Sequence, residues 1–435
     1  MNRIQRLFCL VSVVGISYCG FSQTKTVKDT ITIMQYNLLN YGYNGNTCGG
    51  FNITLAHKDK QLKTLIDYIK PDILGVNEMG CNELYSRRIL ANCLNQGTSK
   101  FERTKLQKSG TQNICNSYFY NTEKLGLINS SAITKTKNAG NIIRAIDFLK
   151  LYVKGEYLSI SDTISLSHLV VHLKASNGIS ERAEREKAAE GIMYHLEQNE
   201  SAGNYILSGD FNVYKSSEGA YQQFTKYTKV PFRFYDPIKQ EGSWNNNGAY
   251  AKVHTQATRT GSCGGMDDRF DFILVSKAII DDSSHIKYIA DSYRAVGQDG
   301  KRLNQSVISP TNTDVPADIA TALYEMSDHL PIILKLEVSY EVPVGVESLE
   351  SKKIKSRVIS PSFAGIKFNT ENQGEENPLK FQVFSIEGRL VKDGIVEIRT
   401  GVQEHNLEFS GQGIFILKLT SEAIMESQTH KVIVW

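Results

Sequence analysis

Residues 205–214 read Tyr-Ile-Leu-Ser-Gly-Asp-Phe-Asn-Val-Tyr, and the predicted fold is organised around them. The apolar run Tyr205–Leu207 predicts a short buried strand, and Gly209 permits a tight exit from the sheet that a side chain would obstruct. If the strand continues past Gly209, Asp210 and Asn212 point the same way and present a carboxylate beside a carboxamide. Such groups bind a hard cation, accept a proton from water, or donate to a phosphate oxygen. Taken alone, the stretch favours an ordinary turn, so the residues at other strand ends must decide.

Polar side chains also follow other strands that the sequence predicts. The β-branched run Thr30–Tyr36 leads into Asn37, and the apolar run Asp72–Val76 leads into Glu78. A helix is predicted between them at Leu55–Ile69, because apolar residues recur there at helical spacing. Strand, helix and strand, with polar residues at the strand ends, are typical of an α/β protein.

The same arrangement recurs through the first 340 residues, with further strands predicted at Leu166–Leu173, Arg269–Val275 and Pro331–Val338. The polar residues at or near the strand ends are Asn37, Glu78, His172, Asp210, Asn212, Asp271, Asp328 and His329. They lie far apart in the sequence and meet only if the strands are neighbours whose ends share one edge of a sheet. In layered α/β proteins ligands bind at that edge.

The short motifs around these residues resemble the endonuclease/exonuclease/phosphatase family, which has the fold of deoxyribonuclease I and of the abasic-site endonucleases. The matching motifs are Met34-Gln35-Tyr36-Asn37, Asp72-Ile73-Leu74-Gly75-Val76-Asn77-Glu78, Val171-His172-Leu173-Lys174, Ser208-Gly209-Asp210-Phe211-Asn212, Arg269-Phe270-Asp271-Phe272-Ile273-Leu274 and Ser327-Asp328-His329-Leu330-Pro331. Each is weak alone, but all of them occur in the family's order. The resemblance implies an α/β fold, a four-layered α/β sandwich of two packed sheets flanked by helices. It also implies hydrolysis of phosphate esters with a divalent cation, usually Mg²⁺, with Mn²⁺ or Ca²⁺ as alternatives.

A metal site is expected around Glu78, because Mg²⁺ binds through few carboxylates and keeps several waters. The resemblance places Asn37 and Asp328 beside Glu78. A cation held there would neutralise an anionic phosphodiester and stabilise the leaving oxygen.

The resemblance implies catalytic roles for His172, Asp210, Asn212, Asp271 and His329. Asp210 positions or deprotonates the attacking water, and Asn212 holds the phosphate. His329, oriented by Asp271, contacts the phosphate in the transition state, and His172 is a candidate general acid for the leaving group. Whether Asp210 or His329 takes the proton of the water stays open, and His172 is equally consistent with a histidine of the core.

Neighbouring residues offer alternatives to one of these assignments. Asp267 and Asp268 compete with Asp271 for the orienting role, and Asp271 is preferred because phenylalanines flank it inside the predicted strand. His168 and Tyr118 are interpreted as packing residues of the sheet.

Composition limits the class of protein. A chain of 435 residues suggests two or three domains, and 41% hydrophobic with 22% charged residues is typical of a soluble globular protein. The net charge is +3 and falls to +1 without Arg3 and Arg6. This excludes a strongly basic nucleic-acid binder by composition but permits a local basic patch.

Residues 1–23 are predicted to be a secretory signal peptide, because a basic start precedes an apolar run that is too short to span a bilayer. The cysteines after it are Cys48, Cys81, Cys93, Cys115 and Cys263. In an oxidising compartment some could pair, and the odd number leaves at least one free or paired outside the chain.

The rest of the chain is predicted to comprise a catalytic domain at residues 24–340, a linker at 341–358 and a small all-β sandwich domain at 359–435. The tail resembles the C-terminal sorting domain of type IX secretion in Bacteroidetes through Ile359-Ser360-Pro361, Phe384-Ser385-Ile386-Glu387-Gly388-Arg389, Gly413-Ile414-Phe415 and Lys431-Val432-Ile433-Val434. The usual Pro-Asn is absent, since Ser362 follows Pro361. This resemblance implies the type IX secretion machinery as a partner and a secreted or surface-attached protein. The alternative is a sandwich that binds carbohydrate or a protein partner.

The sequence as a whole predicts a secreted, divalent-metal-dependent nuclease that hydrolyses DNA, with RNA as a further candidate substrate. An alternative on the same fold is a sphingomyelinase-like phosphoesterase acting on phospholipids or inositol phosphates. An alternative of another class is a non-catalytic surface binding protein, which the complete set of polar residues opposes. The near-neutral mature charge is mild evidence against tight DNA binding, and no transmembrane segment is predicted after signal removal.

Overall fold

The computed structural model describes residues 23–45, 53–110, 112–155, 158, 163–344, 354–359, 365–372, 377–386, 388–421 and 426–434. The predicted signal peptide, apart from Gln23, lies outside the described residues, as does Cys48. The chain divides into two compact units, of which one is Lys25–Val342 and the other holds Pro343–Trp435. Among the described residues, no helix is both long and apolar enough to cross a membrane.

Two sheets form the centre of the unit Lys25–Val342. Their strands are β1 (Gln23–Tyr41), β2 (Ile73–Gly80), β3 (Phe101–Arg103), β4 (Ile114–Asn121), β5 (Leu125–Lys135), β6 (Asn141–Val153), β7 (Ser165–His172), β8 (Tyr205–Asp210), β9 (Phe234–Tyr235), β10 (Asp271–Ser276), β11 (Ile286–Tyr288), β12 (Arg294–Ala295) and β13 (Ile332–Val344). The first sheet has the order β11-β13-β1-β2-β4-β3, with β12 also paired to β13, and the second has the order β5-β6-β7-β8-β10-β9.

Helices cover the outer faces of the two packed sheets. They are α1 (Leu55–Ile69), α2 (Glu83–Ile89), α3 (Ile179–Asn199), α4 (Gly219–Thr225), α5 (Lys277–Asp281) and α6 (Ala317–Met326). One apolar core joins Val76 of the first sheet to Val170 of the second and includes Leu65 of α1. A second core packs Ile192 of α3 against Leu207 of β8. The predicted four-layered α/β sandwich is confirmed.

Helix α1 shows how local sequence sets an element's bounds. Its bounds are those that the apolar spacing predicts. The Thr54 side chain caps its first turn by accepting a hydrogen bond from the backbone N–H of His57. At its other end Lys70 adopts a left-handed conformation just before Pro71, which cannot continue a helix.

The second unit is all β, with strands β14 (Ile354–Ile359), β15 (Ile366–Asn372), β16 (Asn377–Ser385), β17 (Leu390–Ile398), β18 (Gly401–Leu407), β19 (Gly413–Ser421) and β20 (Glu426–Val434). A sheet β14-β15-β18 and a sheet β17-β16-β19-β20 share one apolar core. Strands occupy both ends of the predicted linker at 341–358, and the predicted domain boundaries stay a prediction. Strand β13 continues to Val344, and β14 begins at Ile354 and pairs with β15.

Two cysteines from neighbouring parts of the first sheet are paired. Cys81, just after β2, forms a disulfide with Cys115 in β4. Cys263 is also disulfide-bonded, and Cys93 is buried as a free thiol.

Gly209 is the position in β8 where no other residue fits. Its φ is +143°, and a Cβ there would lie 1.9 Å from the backbone oxygen of Val171 in the neighbouring strand. We therefore expect Gly209→Ala to lower the free energy of unfolding by about 3 kcal/mol, because strain and overlap add.

Denaturant unfolding of purified Gly209→Ala measures this loss. Gly203→Ala is the matched control, because its Cβ would meet only Tyr205 at 3.7 Å, and we expect a change within about 0.5 kcal/mol. Equal stabilities for the two variants would contradict the close approach of β7 and β8.

Candidate active site

Three of the predicted residues lie side by side on neighbouring strands of the second sheet. Asp210 ends β8 and is in register with His172, which ends the parallel strand β7. On its other side Asp210 is in register with Asp271, the first residue of the antiparallel strand β10. The strand β8 therefore runs through Ser208 and Gly209 rather than breaking there. Strand pairing fixes these side chains at one end of the sheet.

The first sheet contributes Asn37 and Glu78 from β1 and β2. Glu78 was expected after the end of its strand, but β2 continues to Gly80. The register of β2 against β4 shifts between Val76 and Met79, and Glu78 has a φ of +55° within this bulge. A bulge re-aims a side chain, and here the Glu78 carboxylate lies beside Asn37 and His172.

The Asn37 carboxamide links residues from both sheets. Its Nδ2 lies 3.1 Å from Glu78 Oε1, 3.0 Å from Asp210 Oδ2 and 3.4 Å from His329 Nε2. Its Oδ1 accepts a hydrogen bond from the backbone N–H of Leu39. In this arrangement Asn37 donates to the two carboxylates, and its predicted role as a metal ligand stays a prediction.

His329 and Asp271 form a buried pair. The imidazole Nδ1 of His329 lies 2.7 Å from Asp271 Oδ2. Burial acts to lower the pKa of His329, but the negative charge and hydrogen bond of Asp271 outweigh it and hold the pKa well above its usual value. Asp268, one alternative partner, instead accepts a hydrogen bond from Asn245 at 2.9 Å. The structure thus places Asp271, and not Asp268, against His329.

His172 lies close to both carboxylates. Its Nε2 is 3.6 Å from Glu78 Oε1 and 3.6 Å from Asp210 Oδ2. Burial, with the charges of Arg144 and His329, holds the pKa of His172 well below its usual value. The ring is therefore neutral at pH 7 and offers one N–H donor and one bare nitrogen.

Asn212 does not project beside Asp210 in the way that strand alternation predicts. It lies beyond β8 with a φ of +52°, and its backbone N–H donates to Asp210 Oδ1 at 3.0 Å. Its carboxamide donates to the backbone oxygen of Leu173 at 3.3 Å. The turn brings Asn212 to the site after all, on the side of the strand β7.

The buried carboxylates of the cluster have raised pKa values. Burial, then the charge of Asp328, raises the pKa of Glu78, and burial raises the pKa of Asp210 to about 7. Two like charges near each other in a buried site resist ionisation together. An added cation would relieve this repulsion.

The donor set fits a divalent cation. A carboxylate oxygen of Glu78, one of Asp210 and a ring nitrogen of His172 lie within 4.8 Å of one another. Asp328 Oδ1 is buried and has no hydrogen-bond partner among the described residues. Carboxylate oxygens suit Mg²⁺, Mn²⁺ and Ca²⁺. Glu78 would hold such an ion, with Asp210 and His172 next to it, and the role of Asp328 as a ligand stays a prediction.

Two site residues escaped the sequence analysis. Gln256 belongs to the Gly- and Asn-rich stretch 231–265, and its Nε2 lies 3.1 Å from His329 Nε2 and 3.3 Å from Asp328 Oδ2. Arg144 donates through Nη1 to the backbone oxygens of His172 and Leu173. Nothing in the sequence marks Gln256 as a site residue, because it does not follow the end of a predicted strand. Arg144 sits near the start of the strand β6, a position that basic residues also fill for solubility.

Comparison with known proteins gives similar structures at low identity. No family model matches the chain, and no curated protein matches it. The human Nocturnin catalytic domain with bound sulfate anion is 15% identical with a TM-score of 0.45, covering 72% of this chain and 97% of that one. D. rerio TDP2 complexed with single strand DNA product is 12% identical with a TM-score of 0.44, covering 71% and 98%.

A third similar structure is a mannosyl-6-phosphatase from Bacteroides thetaiotaomicron VPI-5482. It is 16% identical with a TM-score of 0.40, covering 70% of this chain and 99% of that one. The function proposed below depends on the side-chain geometry of this chain and not on these similarities.

The raised carboxyl pKa values predict how the protein responds to a cation. A carboxyl whose pKa rises on folding destabilises the folded state as pH climbs from its unfolded value, 3.8 for Asp210, to about 7. We expect millimolar Mg²⁺ or Mn²⁺ to raise the melting temperature by several degrees at about pH 8, and by less at about pH 5.5, where protons compete.

Thermal melts with and without the cation, after dialysis against EDTA, measure this difference. The double variant Glu78→Gln/Asp210→Asn should lose the response. Asp268→Asn should keep the response to the cation. The pKa of Asp268 is also raised to about 7, but Asp268 does not belong to the group of Glu78, His172 and Asp210. A response of the same size in the double variant would place the cation elsewhere.

Proposed function

We propose that this chain hydrolyses phosphodiester bonds with a bound divalent cation and that its substrate is a nucleic acid, DNA or RNA. The observation that carries the proposal is the position of the Asn37 Nδ2, which lies within 3.4 Å of Glu78, Asp210 and His329 at once. A cation site, a carboxylate base and an imidazole thus face one point, as an attack on phosphorus requires.

The cation, held by Glu78 and Asp328 with Asp210 alongside, would neutralise the phosphodiester and stabilise the leaving oxygen. The remaining steps belong to the side chains. Asn212 has a second amide hydrogen beyond its bond to Leu173, and it would donate that hydrogen to a phosphate oxygen. His172, neutral at pH 7, would donate its N–H toward the leaving oxygen.

The geometry and the direction of the His329 pKa shift favour one division of roles between Asp210 and His329. His329 has a raised pKa beside Asp271, so it is protonated and is a donor to phosphate rather than a base. Asp210 is a carboxylate next to Glu78 and His329, held there by the amide of Asn37, and a carboxylate so placed can accept the proton of a water. We therefore assign the general base to Asp210 and the phosphate contact to His329.

A nucleic acid is favoured as substrate by a cleft that opens beside the site. The cleft has a volume of about 500 Å³ and is lined by Arg144, the exposed Tyr43 and Ile143, and the amide side chain of Asn113. A guanidinium binds phosphate, and an exposed aromatic ring offers a surface for a base.

Extracellular location is part of the same proposal. The Cys81–Cys115 disulfide supports it, because disulfides persist in oxidising compartments. The predicted leader and the resemblance of the tail to a type IX sorting domain agree with export. Extracellular nucleic acid would then be the substrate.

The activity test compares several phosphoesters under matched conditions. We expect the purified protein to cleave plasmid DNA, and RNA more weakly, with Mg²⁺ and not in excess EDTA. Asp210→Asn should lower kcat by at least about 10³-fold, because it removes the base and one carboxylate of the site. Asp72→Asn, at the other end of β2, should remain active.

Sphingomyelin and inositol phosphates belong in the same panel. If the protein hydrolyses either of these and leaves DNA and RNA uncut, the proposed substrate class is wrong and the proposed mechanism stands. Full nuclease activity in EDTA would reject the mechanism itself.

Arg144 tests the substrate-binding half of the proposal. Only its Nη1 makes hydrogen bonds among the described residues, to His172 and Leu173 oxygens, so its other nitrogens are available to phosphate. We expect Arg144→Ala to raise KM for DNA about tenfold with a smaller change in kcat, and to weaken the salt dependence of binding.

Steady-state kinetics at two ionic strengths measure both effects. Arg144→Lys should recover part of the affinity, since it restores a charge without the planar fork. Lys137→Ala, an exposed cation on the turn after β5, is the control and should behave as the parent protein. An unchanged KM in Arg144→Ala would remove this residue from the binding surface.

A further inference from the structure

A strip of polar side chains runs between the two sheets, behind the candidate active site. Its members are Gln35, Asn77, Asn116, Tyr118, His168 and Ser208, and all of them are buried. The proposed function gives none of them a role. Burying so many polar groups in an apolar layer costs free energy unless they are all hydrogen-bonded.

In one half of the strip the side chains form a series of hydrogen bonds in which each donor and each acceptor can be assigned. Ser208 Oγ donates to Gln35 Oε1 at 2.9 Å, so its oxygen must accept from His168 Nε2, which lies 2.7 Å away. His168 has a pKa lowered by burial to about 3 and is neutral. Its Nδ1 therefore accepts from the Tyr118 hydroxyl at 3.0 Å. Each hydroxyl and ring nitrogen has one possible role.

The other half connects Gln35 to the active site. Gln35 Nε2 donates to Asn77 Oδ1 at 2.9 Å, and the same oxygen accepts the backbone N–H of Asp210 at 3.0 Å. Asn77 Nδ2 donates to Asn116 Oδ1 at 2.7 Å and to the backbone oxygen of Val171 at 3.0 Å. Asn77 thus joins the first sheet to the two strands that end in His172 and Asp210.

The space around Gln35 is shaped for this chain. A Cβ on Gly75 would lie 2.4 Å from Gln35 Oε1, so the glycine leaves the room that the amide occupies. Asn77 holds the backbone N–H of Asp210. The Asp210 side chain makes no hydrogen bond to the strip. A shift of the Asn77 amide would therefore move the Asp210 backbone and with it the carboxylate.

We propose that Gln35 and Ser208 are positioning residues for Asp210. The hydrogen bonds from Tyr118 to Gln35 fix the orientation of the Asn77 carboxamide. Asn77 in turn fixes the backbone of Asp210 in the position that the proposed reaction requires. The effect on turnover rests on the proposed function, whereas the effect on the Asp210 backbone does not. A small misplacement of a reacting group lowers the rate far more than it lowers substrate binding.

The test removes the links one at a time. Gln35→Met has similar volume and lacks both hydrogen bonds, and we expect it to lower kcat by about 10- to 100-fold with KM changed by less than about twofold. Ser208→Ala should give a smaller loss, and Tyr118→Phe the smallest, because each break is further from Asp210. Ser117→Ala is the matched control, since its buried hydroxyl on the same strand as Tyr118 has no hydrogen-bond partner among the described residues.

A second readout is independent of turnover. Amide hydrogen exchange of the segment 205–213 should speed up at Asp210 in Gln35→Met and Ser208→Ala, and should be unchanged in Ser117→Ala. Exchange at Asp210 as slow as in the parent protein, in both Gln35→Met and Ser208→Ala, would overturn the proposal. A loss of kcat in Ser117→Ala as large as in those two variants would also overturn it. If Gln35→Met does not fold, Ser208→Ala and Tyr118→Phe carry the test. If the parent protein hydrolyses no phosphoester, the proposed function fails and the exchange result still decides the positioning role.

Discussion

The site depends on the burial of two negatively charged carboxylates, those of Glu78 and Asp210. Glu78 and Asp210 come from different sheets, yet a single amide nitrogen of Asn37 donates to both. Two carboxylates so placed have raised pKa values, and one amide cannot neutralise them. Burying these carboxylates costs stability, which Arg144 and the protonated His329 offset in part and which a cation or a proton would offset further. Sites of this kind are built for binding or chemistry more often than for stability.

The sheets supply this arrangement through register rather than through loops. His172, Asp210 and Asp271 stand on three consecutive strands at the same level, and a slip of one residue would turn each side chain to the opposite face. Such a slip would also bring a side chain against Val171, where only Gly209 fits. The geometry of the reacting groups is thus tied to the packing of the core.

The existence and order of the strands that carry the site were predictable from sequence, whereas their exact ends and their departures from regular geometry were not. Short apolar or β-branched runs locate β1, β2, β7, β8 and β10, and the polar residues beside them are the ones that meet. The bulge that re-aims Glu78 leaves no mark in the sequence, because it arises from pairing with β4. Gln256 arrives from a Gly- and Asn-rich segment whose path depends on tertiary contacts, including the buried Trp244. His168 and Tyr118 look like packing residues because burial and hydrogen bonding follow the same pattern in a strand.

The loops after β7 and β8 also need an anchor, since they carry Leu173 and Asn212. Arg185 of α3 is fully buried and donates to the backbone oxygens of Lys174 and Ser176. Its ion-pair partner Glu218 accepts the backbone N–H of Tyr214 through its other oxygen. A buried ion pair adds little net stability over an apolar pair, but this one ties both loops to a single helix. Buried polarity therefore supports the candidate site from two sides: the inter-sheet strip holds the strands, and this pair holds the loops that leave them.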